Sequence, residues 1–282
     1  MGMATIVDGK KIADEILADL RLKTNNLNFK PRLGVFLVGD DPASLSYIKI
    51  KQKTAEKIAV QAEIKKYSEN ISADELKKEI SSYAKEERVC GIIVQLPLPK
   101  DIGKEKILNA VPPELDVDCL NSVSRQKLIK GEKIIFAPPA AAAIMKILEY
   151  YIVELMNKNV ALVGSGDLVG KPLASLLLHK GINFEMANRH TENLTELLKR
   201  ADIVITGAGQ AGLVTGDMIK EGAVVIDAGT TGSEEGEVVG DVDIKSVSGR
   251  ASLLSPVPGG VGPVTVAMLL LNVVNCALGK TS

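Results

Sequence analysis

From Arg32 onward, short runs rich in β-branched residues alternate with longer amphipathic segments. This alternation constrains the fold most, because strands separated by helices pair in parallel and use the helices as crossovers. "LGVFLVG" (33–39), "AEIKKY" (62–67) and "GIIVQLP" (91–97) read as strands. Between the last two, "SADELKKEISSYAKEE" opens on Ser72 with Glu75 three residues later, the capping-box pattern that starts a helix. Together these predict one βαβαβ unit. A second series starts at Asn159: strand "NVALVG", a helix over 170–180, strand "NFEMAN", helix "ENLTELLKR", and strands "DIVITGAG" and "AVVIDAG". The predicted class is therefore α/β, with two doubly wound α/β domains, the second Rossmann-like. The Pro- and Ala-rich segment "IIFAPPAAAAIMKILEYY" marks the boundary. The first domain is expected to take residues 1–140 plus a C-terminal helix over 265–282, and the second residues 141–264.

Charge and cysteine usage narrow the function. In 282 residues, 34 basic side chains face 35 acidic ones, with no basic stripe interleaved with aromatics, so no nucleic acid partner is expected. Cys90, Cys119 and Cys276 form no C-x-x-C pair, which argues against a zinc site and for a reducing cytoplasm. "MGMATIVDGKKIADEIL" has scattered charge and no long apolar core, unlike a signal peptide. "VTVAMLLLNVVNCAL" is short for a membrane span and holds two asparagines, so a packed helix and no membrane partner are expected.

The loop in "VALVGSGDLVGKP" (160–172) spaces Gly164, Gly166 and Gly170 as G-x-G-x-x-x-G, one residue longer than the usual dinucleotide fingerprint. Glycines would let backbone approach a pyrophosphate, and the helix that follows would offer N–H groups and the positive end of its dipole. A βα turn that merely needs glycine's φ freedom explains the loop equally well. The next strand adds information. An NAD site usually ends that strand on Asp or Glu, whereas "NFEMANRHT" presents Asn188 and Arg189. An arginine there favours a ribose phosphate, hence NADP over NAD, with Ser165, Asn188, Arg189 and Thr191 near the adenosine ribose. Asp167 and Val169 in the loop, and Thr206 and Gly207 at the end of "DIVITGAG", complete the cofactor-binding candidates.

In "SLSYIKIKQKTAEKIAV", helical spacing aligns Ile48, Ala55, Ile58 and Ala62 in one apolar stripe that also contains Lys51. Lys49, Lys53 and Lys57 fall on the opposite side. A lysine in such a stripe can snorkel. Alternatively, desolvation lowers its pKa toward neutrality and suits it to proton transfer, with Tyr47 one turn earlier to orient it or a substrate. Gln95 ends a strand at the carboxyl edge where open α/β sheets bind ligands, and Asp118 in "ELDVDCL" could hold a donor-rich ring. Either could equally be an ordinary loop residue. His179 suits a helix C-terminus, and His190 reads as a neighbour of the cofactor, so no metal ligand set is expected.

Taken together, Tyr47-x-x-x-Lys51, "VQLPLP", "DVD", the glycine loop ending in "VGKP" and "SPVPGGVGPVT" closely resemble the bifunctional methylenetetrahydrofolate dehydrogenase/methenyltetrahydrofolate cyclohydrolase family over nearly the whole chain. The resemblance implies an amino-terminal folate domain, a carboxy-terminal NADP domain, a cleft between them and a homodimer joined through the cofactor domains. It implies that Lys51 transfers the proton, Tyr47 stacks on the folate, Gln95 tunes the lysine and Asp118 binds the pterin. Leu96, Pro97, Pro258, Gly259 and Gly260 would contact substrate. This sequence departs from the family pattern at three places. Gly164-Ser165-Gly166 stands for G-R-S, with Arg189 as the candidate replacement for the missing arginine; "FAPPAAA" (136–142) stands for P-C-T-P; and Cys119 follows "DVD" in place of glycine. Rival readings are a dehydrogenase without hydrolase activity, a two-domain dehydrogenase for a shikimate-like or amino-acid substrate, and a non-enzymatic folate- or nucleotide-binding protein.

Overall fold

The computed structural model describes residues 3–232 and 238–280. The chain divides into two compact α/β units, one formed by Asp14–Pro139 with Val266–Ser282 and the other by Met1–Ala13 with Ala140–Thr265. The ends of the expected domain bounds, 1–2 and 281–282, lie outside the described residues.

The chain opens with β1 (Thr5–Ile6) and α1 (Gly9–Asn25) and then forms β2 (Arg32–Val38), α2 (Pro42–Lys57), β3 (Gln61–Tyr67), α3 (Ala73–Tyr83) and β4 (Val89–Val94). The last three strands make a parallel sheet in the order β3-β2-β4. Strand β2 is central, which is why six of its seven residues are buried. At the start of α3 the Ser72 hydroxyl accepts the Glu75 N–H at 3.1 Å, so the cap is real. Phe36, Leu76, Ile80, Tyr83 and Ile92 pack into the core beside this sheet. The strand expected over 91–97 stops at Val94, because a proline at 97 has no N–H for a ladder; Gln95 N–H still reaches Phe36 O at 2.9 Å, and the Leu96–Pro97 peptide is cis. Two short helices follow, α4 (Lys104–Leu108) and α5 (Ser122–Lys130).

The apolar stripe on α2 is shorter than its spacing suggests. The helix buries Ser44, Ile48, Lys51 and Ala55 and ends at Lys57, with Ile58 as its cap and Ala59 at φ 56°. Ala62 therefore lies on β3 and not on the helix face.

After α6 (Pro139–Tyr150) come β5 (Val160–Val163), α7 (Gly170–His179), β6 (Phe184–Ala187), α8 (Leu194–Arg200), β7 (Ile203–Thr206) and β8 (Val224–Asp227). A small antiparallel pair, β9 (Thr231–Gly232) and β10 (Val238–Val239), precedes α9 (Ile244–Val247), β11 (Leu253–Ser255) and α10 (Val261–Gly279). The large sheet is six-stranded and parallel, in the order β1-β11-β8-β7-β5-β6. Thr5 and Ile6 pair with Leu253 and Leu254, so the first thirteen residues belong to this unit and not to the amino-terminal domain expected from sequence.

Helix α10 also corrects an expectation. It starts inside "PGGVGP", runs for 19 residues with mean hydropathy 1.9, and is long and apolar enough by length and composition to cross a membrane. Here Val264, Ala267, Leu270, Val273, Val274 and Ala277 are fully buried in the protein.

Candidate active site

Lys51 is brought inward by the α2 register that also buries Ile48 and Ala55, and only 6 % of it is exposed. Its Nζ donates to Gln95 Oε1 at 3.2 Å and lies 4.7 Å from the centre of the Tyr47 ring. Gln95 is aimed by its own amide, whose Nε2 donates to Leu96 O at 2.8 Å; Ser44 Oγ reaches the same carbonyl at 3.4 Å. Burial lowers the Lys51 pKa, partly opposed by the Asp118 carboxylate. Burial likewise raises the pKa of Asp118, opposed by Lys51, and raises that of Tyr47, with Asp118 adding to the shift. Lys51, Tyr47, Gln95 and Asp118 thus form one electrostatically linked cluster at the carboxyl ends of β2 and β4, with Leu96 and Pro97 beside it. The snorkelling alternative fails for Lys51, whose ammonium points to an amide and a ring and not to solvent.

Asp118 is carried on a tightly held loop. The buried Asp116 carboxylate accepts Leu120 N–H at 3.0 Å and Asn121 N–H at 2.9 Å, and burial pushes its pKa up to about 6. Cys119 takes φ 58°, the left-handed conformation that glycine adopts freely, and its Sγ donates to Phe136 O at 3.1 Å. From α10, the Asn272 amide donates to Val117 O at 2.9 Å and to Ala137 O at 2.8 Å. Sequence reasoning missed Asp116 and Asn272. The doubled aspartate of "LDVDC" and a polar residue inside "MLLLNVVN" were the available signals.

In the other unit the three loop glycines differ in what they do. A Cβ on Gly170 would strike the Gly164 carbonyl, and one on Gly164, at φ 108°, would strike the Gly207 carbonyl. Gly207 in turn packs on Val169. These glycines are explained by protein packing. Gly166 is not: nothing lies within 4 Å of a Cβ built there, and its φ is outside the left-handed region. It is open on its Cα side in the loop before α7, and its carbonyl accepts the Lys171 N–H at 3.0 Å. Asp167 is bound by Lys171 at 2.8 Å, while Ser165 is exposed. After β6, Asn188 N–H donates to Thr191 Oγ1 at 3.0 Å and His190 N–H to Asn188 Oδ1 at 2.9 Å, forming a turn that displays Arg189. Arg189 is exposed, donates from Nε to His190 Nε2 at 3.2 Å, and makes no ion pair among the described residues.

Thr206 needs correction as a cofactor ligand. It is fully buried, and its hydroxyl donates to Asp227 Oδ1 at 2.9 Å. Buried Asp241 similarly accepts Ala208 and Gln210 N–H groups at 2.6 and 2.7 Å. These aspartates, which sequence reasoning also missed, hold the strand-end loop that contains Gly207. Pro258, Gly259 and Gly260 lie in the same unit between β11 and α10, with a cis Val257–Pro258 peptide and Gly259 at φ 104°. The structure therefore gathers Lys51, Tyr47, Gln95, Leu96, Pro97 and Asp118 in one unit and the remaining candidates in the other. No group of three or more potential metal ligands occurs among the described residues. A cavity of about 550 Å³ opens at the amino ends of β7, β8 and β11, beside Asp202, Lys220 and Ser252. It is the opposite edge from the one where such sheets bind ligands, and none of the candidate residues lines it.

Comparison with known proteins names two regions of the chain. Residues 7–118 match the family model described as tetrahydrofolate dehydrogenase/cyclohydrolase, catalytic domain, and residues 138–281 match its NAD(P)-binding domain. The bifunctional protein FolD of Nautilia profundicola is 42% identical over 276 residues, covering 97% of each chain. Its namesake from Enterococcus faecalis is 40% identical, covering 98% of this chain and 99% of the relative. Among solved structures, the bifunctional FolD of Campylobacter jejuni superposes with TM-score 0.94 at 37% identity, covering 98% of this chain and 99% of that one. The Trypanosoma brucei enzyme, solved with NADP and an inhibitor, gives TM-score 0.94 at 34% identity, covering 100% and 99%.

Proposed function

The chain belongs to the tetrahydrofolate dehydrogenase/cyclohydrolase family, and from that premise we propose that it oxidises methylenetetrahydrofolate with NADP and hydrolyses the resulting methenyltetrahydrofolate to formyltetrahydrofolate. The observation that carries this reading is the buried Lys51 ammonium held between Gln95 Oε1 and the Tyr47 ring.

A bound NADP would supply the acceptor for the hydride of the methylene bridge. The open Cα side of Gly166, the amino end of α7 close behind it and the exposed Arg189 fit a dinucleotide with a ribose phosphate. Ser165, Asp167, Val169, Asn188 and Thr191 complete that set, and Gly207 contributes backbone. Arg189 takes the phosphate in place of the arginine that the loop lacks.

In the first reaction, Tyr47 and Asp118 orient the folate, Asp118 through the donor-rich pterin and Tyr47 through its ring, and alignment dominates the rate. The second reaction moves a proton. Water adding to the methenyl carbon loses both of its protons by the time the formyl group has formed, one to the departing ring nitrogen and one to solvent. Lys51 Nζ carries the proton bound for the nitrogen, because it is the buried ionisable amine of the cluster and burial lowers its pKa from the usual lysine value. Gln95 keeps the ammonium aimed. Leu96, Pro97, Pro258, Gly259 and Gly260 complete the substrate contacts. The reading includes a homodimer joined through the cofactor units and a cytoplasmic location without membrane or nucleic acid partners; three free cysteines support a reducing compartment.

A spectrophotometric assay with methylenetetrahydrofolate and NADP tests both steps. Reduced cofactor should form, and methenyl absorbance should rise and then decay faster than it does without enzyme. No cofactor reduction would sink the dehydrogenase reading. Methenyl decay at the uncatalysed rate would sink the cyclohydrolase reading.

A further inference from the structure

Asn272 is an anomaly in α10. Its neighbours Leu269, Leu270, Val273 and Val274 are buried apolar residues, and Asn272 is only 4 % exposed. An amide in such a place costs desolvation unless its hydrogens are used. Here both are used, on two backbone carbonyls remote in sequence, Val117 O at 2.9 Å and Ala137 O at 2.8 Å.

The first of those carbonyls matters because Val117 is joined to Asp118 by a planar peptide, so fixing Val117 O fixes the plane from which Asp118 departs. On the far side, Asp116 holds the N–H groups of Leu120 and Asn121. The second carbonyl belongs to the segment 136–142 that replaces the usual family sequence, and Cys119 Sγ also binds that segment, at Phe136 O. Asn272 therefore ties the Asp118 loop and the altered segment to one rigid helix.

We propose that Asn272 is a positioning residue for Asp118, holding its carboxylate at the angle that receives the folate pterin. The inference rests on the reading of Asp118 as the pterin ligand. Removing the amide takes this donor from one buried and one half-buried carbonyl and frees the Val117–Asp118 peptide to turn.

Four proteins test it: the parent, Asn272→Leu, Asp118→Ala and the double variant, each assayed for folate KM and kcat in both reactions and for NADP binding. Asn272→Leu keeps side-chain volume on an apolar helix and should raise folate KM roughly 10-fold, the size of one lost buried hydrogen-bond arrangement, with NADP affinity unchanged. In the Asp118→Ala background the same substitution should change folate KM by less than about twofold, because the group it positions is gone. Should the leucine variant not fold, Asn272→Ser, which keeps one hydroxyl donor, replaces it with an expected rise of roughly threefold. A parental folate KM in a folded Asn272 variant overturns the proposal. So does a rise of equal size with and without Asp118, since that would show action through general destabilisation. If Asp118→Ala itself leaves folate KM unchanged, the pterin reading of Asp118 is the part that has failed.

Discussion

At Lys51 a buried ammonium is already in contact with half-buried Gln95 and Tyr47, whereas at the glycine loop the structure offers open backbone at Gly166 and an exposed guanidinium at Arg189. The difference follows from what each site must do. A proton carrier near neutrality needs desolvation, so its environment has to be assembled by the fold before any ligand arrives. A site for a pyrophosphate and a ribose phosphate needs backbone that can be approached and charge that is still free to pair. Substitution of the proton carrier should therefore act on rate, and substitutions at the second site on cofactor affinity.

The largest effect should come from Lys51→Met, which keeps an unbranched chain against Ile48 and Ala55 while deleting the ammonium. Cyclohydrolase activity should fall about 100- to 10,000-fold, the usual contribution of a positioned proton carrier. Dehydrogenase activity should fall much less, so that methenyltetrahydrofolate accumulates in a coupled assay. Parallel decline of both activities in a folded variant would erase the distinction between the two reactions.

Arg189→Ala should weaken NADP by roughly 10- to 150-fold, the equivalent of about 1.5–3 kcal/mol for a charged hydrogen bond. NAD binding should hardly change. Equal losses for both cofactors, read by titration of each, would show that Arg189 does not meet the phosphate.

A pair of glycine variants sharpens the contrast inside the loop itself. Gly170→Ala forces a methyl into the Gly164 carbonyl and should lower stability by about 1–3 kcal/mol in chemical denaturation. Gly166→Ala meets nothing in the protein, so stability should stay within about 0.5 kcal/mol of the parent, yet cofactor affinity should drop. Unchanged affinity in the second variant would remove Gly166 from the site.

The smallest effect is one of pH. Burial raises Asp116 to about 6, so between about pH 4 and 6 the folded protein holds a proton that the unfolded chain has already released. Stability contributed by this group is present below that window and is lost as pH rises through it, at no more than about 1.4 kcal/mol per pH unit. Asp116→Asn should flatten that part of the curve relative to the parent. An identical slope in the two proteins would show that Asp116 titrates normally.

Much of the fold was legible because its signals are local. The Ser72 cap and the apolar runs of β2 and β4 announce themselves within a few residues. Lys51 was legible for the same reason, as a charge at helical spacing from Ile48 and Ala55. Ala62 was misassigned to that stripe because the periodicity runs on past Ile58, where the backbone turns at Ala59. What escaped depends on distant partners. Two residues of β1 acquire their meaning only from β11. Thr206 looks like a strand-end ligand until Asp227, 21 residues on, captures its hydroxyl. Asn272 binds a carbonyl 155 residues away, and nothing in the apolar run around it names that partner.

The interleaving of the two units bears on how the chain can be made. β1 is made long before β11, the strand that completes it, and Asp14–Pro139 must likewise wait for Val266–Ser282. Vectorial synthesis usually lets an amino-terminal domain finish folding before the next one emerges. Here the unit of Asp14–Pro139 cannot close until α10 has emerged, and the other cannot close until β11 has. The nascent protein must carry an unpaired strand edge and the uncovered apolar surface that α10 will bury while the intervening residues are made, so its exposure to aggregation during that interval is set by elongation time and not by the stability of the finished fold.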